Sequence, residues 1–199
     1  MAKILISFVG TGSLVNRVSA GHNYIASERQ YKTAKYHIGE ENFECPFVAA
    51  ALTKYHNVDK VILIGTVHSM WEEVYRFFCE RNGLDLDESV YYDIATYCEN
   101  ATFESDLTLP YKDKIEKSLG KWANVMLIRY GLNDEEIAQN ISIVLGLNKF
   151  INTGDEIIVD VTHSFRSLPI LIMNLLLYIY QMSVVRSRLF HIFIMGCWK

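Results

Sequence analysis

Three short apolar runs in this chain each give way at once to a polar turn. Lys3 to Val9 (KILISFV) is followed by Gly10, Thr11, Gly12 and Ser13. Val58 to Ile64 (VDKVILI) is followed by Gly65, Thr66, Val67, His68, Ser69, Met70 and Trp71. Ile157 to Val161, broken only by Asp160, is followed by Thr162, His163, Ser164, Phe165, Arg166 and Ser167. A run that is apolar at successive positions suits a strand covered on both faces, as in a parallel sheet between helix layers. The second and third turns lead into helix-forming stretches, so these segments read as strand, turn, helix. In an open α/β sheet of that kind, ligands lie beyond the carboxyl ends of the strands. Three polar turns on one sheet edge would therefore make one pocket.

The remaining segments fit that architecture. Residues 14 to 29 lack a clear period and read as a long loop, and Gln30 to Ile38 (QYKTAKYHI) as a more exposed second strand paired antiparallel with a neighbour. Glu44 to Tyr55 reads as a helix with Pro46 in its first turn, and Trp71 to Arg81 as a helix carrying Val74, Phe77 and Phe78. Residues 84 to 118 have helical apolar spacing and suggest an inserted helical region. Trp122 to Tyr130 predicts a strand, and Asp134 to Phe150 a helix with Ile137, Ile141, Val144 and Leu145 on one side. Leu168 to Met182 predicts a strongly apolar helix with Pro169 at its start, and Arg188 to Met195 a last strand. The expected fold class is α/β: a Rossmann-like, mostly parallel sheet with helices on both faces. Residues 1–199 read as one domain, either complete or the N-terminal sensing part of a longer effector protein.

Composition narrows the partners. Half the residues are hydrophobic and the formal net charge is -4, which fits a packed domain and argues against duplex nucleic acid. Cys45, Cys79, Cys98 and Cys197 form no CxxC pair, and the plain reading is reduced thiols in a cytoplasm. No signal peptide is visible before the first strand, and the 168–182 stretch is too short to span a bilayer. A cytoplasmic protein without a membrane partner is expected.

The motifs exclude several chemistries. A dinucleotide fingerprint starting at Gly10 needs a third glycine where Val15 stands, and the acidic residue expected after the next strand is missing. A nicotinamide-dependent oxidoreductase is thus a remote alternative. No GxSxG elbow occurs, and the histidines show neither HxH nor HxxxH spacing, so no metal and no cofactor are expected. In the middle turn, Thr66, His68 and Ser69 are candidate donors, with Met70 alongside and Trp71 as a wall for a base. The structural alternative has Ser69 capping the helix and Trp71 in the core. In the last turn, Thr162, His163, Ser164, Arg166 and Ser167 supply donors and one fixed positive charge, and Phe165 adds a flat apolar surface. Hydroxyl and amide donors with few carboxylates suit a nucleotide phosphodiester.

These turns also carry a resemblance. ILISFVGTG, YKTAKYHI with the following PFVAAAL, LIGTVHSMWE and DVTHSFRSLP resemble, in order and spacing, the CARF domains (CRISPR-associated Rossmann fold) of type III CRISPR ancillary proteins. The resemblance covers essentially the whole chain. It implies binding of a cyclic oligoadenylate, most often cyclic tetra-adenylate, at a homodimer interface in antiviral signalling. It implies ligand-binding residues in these turns, namely Gly10 to Ser13, then Thr66, His68, Ser69, Met70 and Trp71, and Thr162 to Ser167, and a fused effector in many members. Two functions follow: a sensor without chemistry of its own, or a ring nuclease. In the second, the ribose 2′-OH attacks its own phosphate without a metal, with His163, Arg166 and Ser13 as the candidate catalytic groups.

Overall fold

Alternate side chains of the first strand go to opposite faces of a sheet, and both faces are buried, as the unbroken apolar run requires. The computed structural model describes residues 1–18, 25–152, 154–162, 174, 177–178 and 191–195, with the backbone alone over 13–18, 25–30 and 191–195. In chain order the first elements are β1 (Lys3–Val9), β2 (Ser13–Val18), β3 (Ile25–Gln30), β4 (Ala34–Ile38), β5 (Glu41–Cys45) and α1 (Val48–Tyr55). Then come β6 (Lys60–Gly65), α2 (Trp71–Asn82), α3 (Glu88–Glu99), α4 (Lys112–Ser118) and β7 (Trp122–Leu127). The last are α5 (Asp134–Leu145), a 3-10 turn at Gly146–Lys149, β8 (Glu156–Asp160) and β9 (His191–Met195).

The main sheet has five strands in the order β7-β6-β1-β8-β9, and every pair is parallel. Leu5 and Val9 of β1 pack with Val61, Leu63, Val125 and Ile158 beneath α1 and α2. Ile4, Ile6 and Phe8 point the other way and pack with Ile62, Ile64, Ile157 and Val159 against Val144 and Leu147. Fully burying one such aliphatic side chain contributes about 1.5–3 kcal/mol. From β1 the chain builds outward through β6 and β7, then returns to place β8 on the other side of β1. The strand order therefore reverses at β1, and the crevice beyond its carboxyl end is the ligand position of a doubly wound sheet.

Several boundaries differ from the sequence reading. Residues 14 to 29 are no single loop: β2 and β3 form a separate antiparallel ribbon, from Ser13 opposite Gln30 to Val18 opposite Ile25. A two-stranded ribbon outside the main sheet has no imposed apolar alternation, so its sequence carried no clear period. The stretch read as one strand over 30–38 is divided, since β3 ends at Gln30 and β4 starts at Ala34. Antiparallel pairing is correct, with β5 as partner across a turn at Gly39, whose φ is 59°. Glu44 and Cys45 belong to β5, and Pro46 precedes the helix rather than opening it. Proline lacks the N–H that a ladder would continue with, so the strand ends there. The helical region over 84–118 is present as α3 and α4. The apolar helix over 168–182 lies outside the described residues, apart from Asn174, Leu177 and Tyr178, which are helical and exposed. Among the described residues no helix is long and apolar enough to cross a membrane.

Candidate ligand site at the carboxyl edge of the sheet

Register brings the turns together. Val9 at the end of β1 stands opposite Gly65 at the end of β6, and Gly65 stands opposite Leu127 at the end of β7. β8 runs parallel on the far side of β1 and ends at Asp160. The segments starting at Gly10, Thr66 and Val161 consequently leave the same edge.

Hydrogen bonds lock these segments to one another. Ser69 Oγ donates to the Val9 carbonyl at 2.7 Å and accepts from the Thr66 N–H at 3.0 Å. The Met70 N–H donates to the Gly10 carbonyl at 3.1 Å, and the Trp71 indole N–H to the Thr66 carbonyl at 2.9 Å. A side chain at position 65 would obstruct this weave, because its Cβ would lie 2.7 Å from Ser69 Oγ and 2.8 Å from Trp71 Cζ2. On the other side, Ser7 Oγ donates to Asp160 Oδ2 at 2.5 Å and the Thr162 N–H to Asp160 Oδ1 at 2.9 Å. The buried Asp160 carboxylate thus ties the start of the last turn to β1.

This geometry sorts the candidate residues. Thr66, Ser69 and Trp71 are fully buried and Met70 is 1% exposed. Trp71 is therefore a core residue in this chain and offers no open face as a wall for a base. Ser69 bridges β1 and the middle turn, and the N-cap of α2 is Met70 without a side-chain cap bond. His68 is partly buried, and its Nδ1–H donates to the Cys98 carbonyl at 2.8 Å, tying the middle turn to the end of α3. Gly10 and Thr11 are partly exposed and Gly12 is exposed, with a left-handed φ of 70° that favours glycine. Thr162 Oγ1 is buried and has no hydrogen-bond partner among the described residues. Ser13 opens β2, where the backbone alone is described. His163, Ser164, Phe165, Arg166 and Ser167 lie outside the described residues.

Two features of the site were not anticipated. The Gly10 N–H donates to the Tyr31 hydroxyl at 2.6 Å. Burial pushes the Tyr31 phenol well above its ordinary pKa, and the nearby Asp160 and Glu72 carboxylates push the same way. It therefore stays neutral. Tyr31 follows a polar segment, and nothing in its neighbours signals a partner 21 positions away. The second feature is the first turn of α2, where Glu72 and Glu73 are 3% and 9% exposed. These carboxylates answer the positive end of the α2 dipole, which makes that N-terminus a poor anion site. Among the described residues, this edge exposes Thr11 and Gly12, while the Gly10 and Thr162 N–H groups are already bonded and the Thr162 hydroxyl is buried beside them. No group of three or more His, Cys, Asp or Glu residues gathers there to hold a metal, again among the described residues.

The dinucleotide alternative loses its remaining support. Its glycine motif must open a helix, whereas here Gly12 leads into β2.

Residues 4–193 match the family described as CRISPR system endoribonuclease Csx1, CARF domain. The chain belongs to the Csx1 CARF domain family. The match runs from β1 into β9 and so includes all five strands of the CARF sheet. A curated relative, the CRISPR-associated protein MJ1674 of Methanocaldococcus jannaschii, is 35% identical over 189 residues. That alignment covers 85% of this chain and 28% of the relative, so the CARF chain spans little more than a quarter of that protein's length.

Proposed function

We propose that this CARF domain is a sensor of type III CRISPR signalling that binds a cyclic oligoadenylate, with cyclic tetra-adenylate as the ring. The observation that carries this reading is the position of Thr11 and Gly12, and of the Thr162 hydroxyl that has no partner among the described residues, at the point where the strand order reverses. Backbone N–H groups and a hydroxyl are donors that a phosphodiester oxygen accepts from. A ring of identical nucleotides can be two-fold symmetric, and a C2 homodimer presents the same turns twice around one axis. On this reading Arg166, four residues after Thr162 in the sequence, is the charge that each subunit contributes to answer the phosphates. The endoribonuclease of the family description is, on this reading, the effector that the sensor controls.

The sequence Thr162-His163-Ser164-Phe165-Arg166 supports a second reading, slow cleavage of the ring by 2′-OH attack. His163 would move protons, with Arg166 and Ser13 holding the phosphate. Both readings are tested by incubating the protein, in excess, with cyclic tetra-adenylate and separating the mixture by chromatography. A retained, intact ring indicates the sensor. Linear products ending in 2′,3′-cyclic phosphates, formed equally in EDTA, indicate the ring nuclease. An intact ring that does not travel with the protein contradicts both.

A further inference from the structure

The burial of Trp71 leaves the purine bases of such a ligand without the platform that the sequence suggested. Another aromatic surface stands on the same edge. β7 ends in register with β6, and the Ile128 N–H continues the ladder by donating to the Gly65 carbonyl at 2.9 Å. Two residues further on is Tyr130. Phe103 meets its ring edge-on, with centroids 5.1 Å apart and planes at 80°. Phe103 is 60% exposed and Leu132, two residues after Tyr130, is 64% exposed, so apolar surface is open here.

The surface is held in place from below. The Arg129 guanidinium donates to the Ser105 carbonyl, which fixes the loop carrying Phe103 against the end of β7. Asn140 accepts from the Arg129 N–H at 2.7 Å and donates to its carbonyl at 2.9 Å, which fixes the backbone next to Tyr130. The bond from His68 to Cys98 joins the end of α3, which leads into the same loop, to the middle turn. Adjacent strands are about 4.8 Å apart, so the end of β7 lies roughly 10 Å across the edge from β1.

We propose that the Phe103–Tyr130 pair is the platform on which an adenine of the bound ring stacks. The inference rests on the cyclic oligoadenylate reading and deepens it. Charge supports the division of labour between the two ends of the edge. Phe103 is followed in the chain by the exposed carboxylates Glu104 and Asp106, which disfavour a phosphate but accept hydrogen bonds from an amino group. Adenine carries such a donor at N6. The phosphates therefore belong at the Gly10 and Thr162 side, and a base at the Phe103 side.

The test is calorimetry of cyclic tetra-adenylate with the wild type, Phe103→Ala and Phe103→Tyr, with light scattering on each. Phe103→Ala is expected to weaken binding about 5- to 150-fold, the range for loss of one base–aromatic stack, and Phe103→Tyr to restore most of it. A ring carrying the fluorescent base 2-aminopurine should be quenched by the wild type and less so by Phe103→Ala. Equal affinity and equal quenching in the wild type and Phe103→Ala would overturn the platform while leaving the ligand reading intact. Loss of the dimer in Phe103→Ala would also overturn it, because the patch would then be a subunit contact. A wild type that binds no ring would remove the ligand reading and the platform together.

Discussion

The N–H of Gly10 points at the hydroxyl of Tyr31, 2.6 Å away, so a residue beyond the ribbon sets the first residue of the first turn. Met70 holds the other side of the same peptide through the Gly10 carbonyl. The turn nearest the crossover is thus held before any ligand arrives, and a site held in advance loses less entropy on binding.

Tyr31→Phe should disturb that turn with little change in shape. The Gly10 N–H loses its acceptor, at a cost on the order of 1 kcal/mol. Denaturant unfolding should show a stability loss of that size, and calorimetry a weaker affinity for cyclic tetra-adenylate. Unchanged affinity with reduced stability would limit Tyr31 to a folding role.

Alkaline pH should unfold the protein by a related route. Burial raises the phenols of both Tyr31 and Tyr91 above their ordinary value, and Glu73, which accepts from the Tyr91 hydroxyl at 2.8 Å, adds to the second shift. Such groups keep their protons in the folded chain while the unfolded chain gives them up above about pH 10. Their contribution is fully present below that pH and is lost as pH rises further. Unfolding curves from pH 8 to 12 should show stability falling above 10, and less steeply in Tyr31→Phe.

Gly65→Ala tests the weave between the turns. The new Cβ meets Ser69 Oγ and Trp71 Cζ2 at 2.7 and 2.8 Å, and neither atom is at the end of a flexible chain. Overpacking of this kind costs typically 1–3 kcal/mol. Thermal unfolding at neutral pH checks the loss, and a variant as stable as the wild type would mean that the turn can open.

The sequence displayed the sheet more clearly than the site. Strands β1, β6 and β8 are buried on both faces, so their apolar runs could be read directly. The ribbon of β2 and β3 stands outside the main sheet and left no such mark. Trp71 looked equally suited to a ligand wall and to a core position, because an indole serves either. The hydrogen bond to the Thr66 carbonyl and complete burial decide for the core. Tyr31 and Phe103 could not be assigned, since their partners, Gly10 and Tyr130, are brought close only by the folded chain.

Arg166→Ala should weaken ring binding strongly on the proposed function. The dimer would lose a charge-assisted contact in each subunit, and truncating one such partner costs about 2–5 kcal/mol. Calorimetry should show the loss in affinity, with the mass of the unliganded protein unchanged. Equal affinity would remove Arg166 from the site.

The most direct measurement is the stoichiometry of cyclic tetra-adenylate binding, by calorimetry with light scattering on the same wild-type sample. A shared site at a two-fold axis predicts one ring bound per two chains and a particle of twice the 22.9 kDa chain mass. A particle of single-chain mass in the presence of the ring, or a titration without binding, would contradict the account.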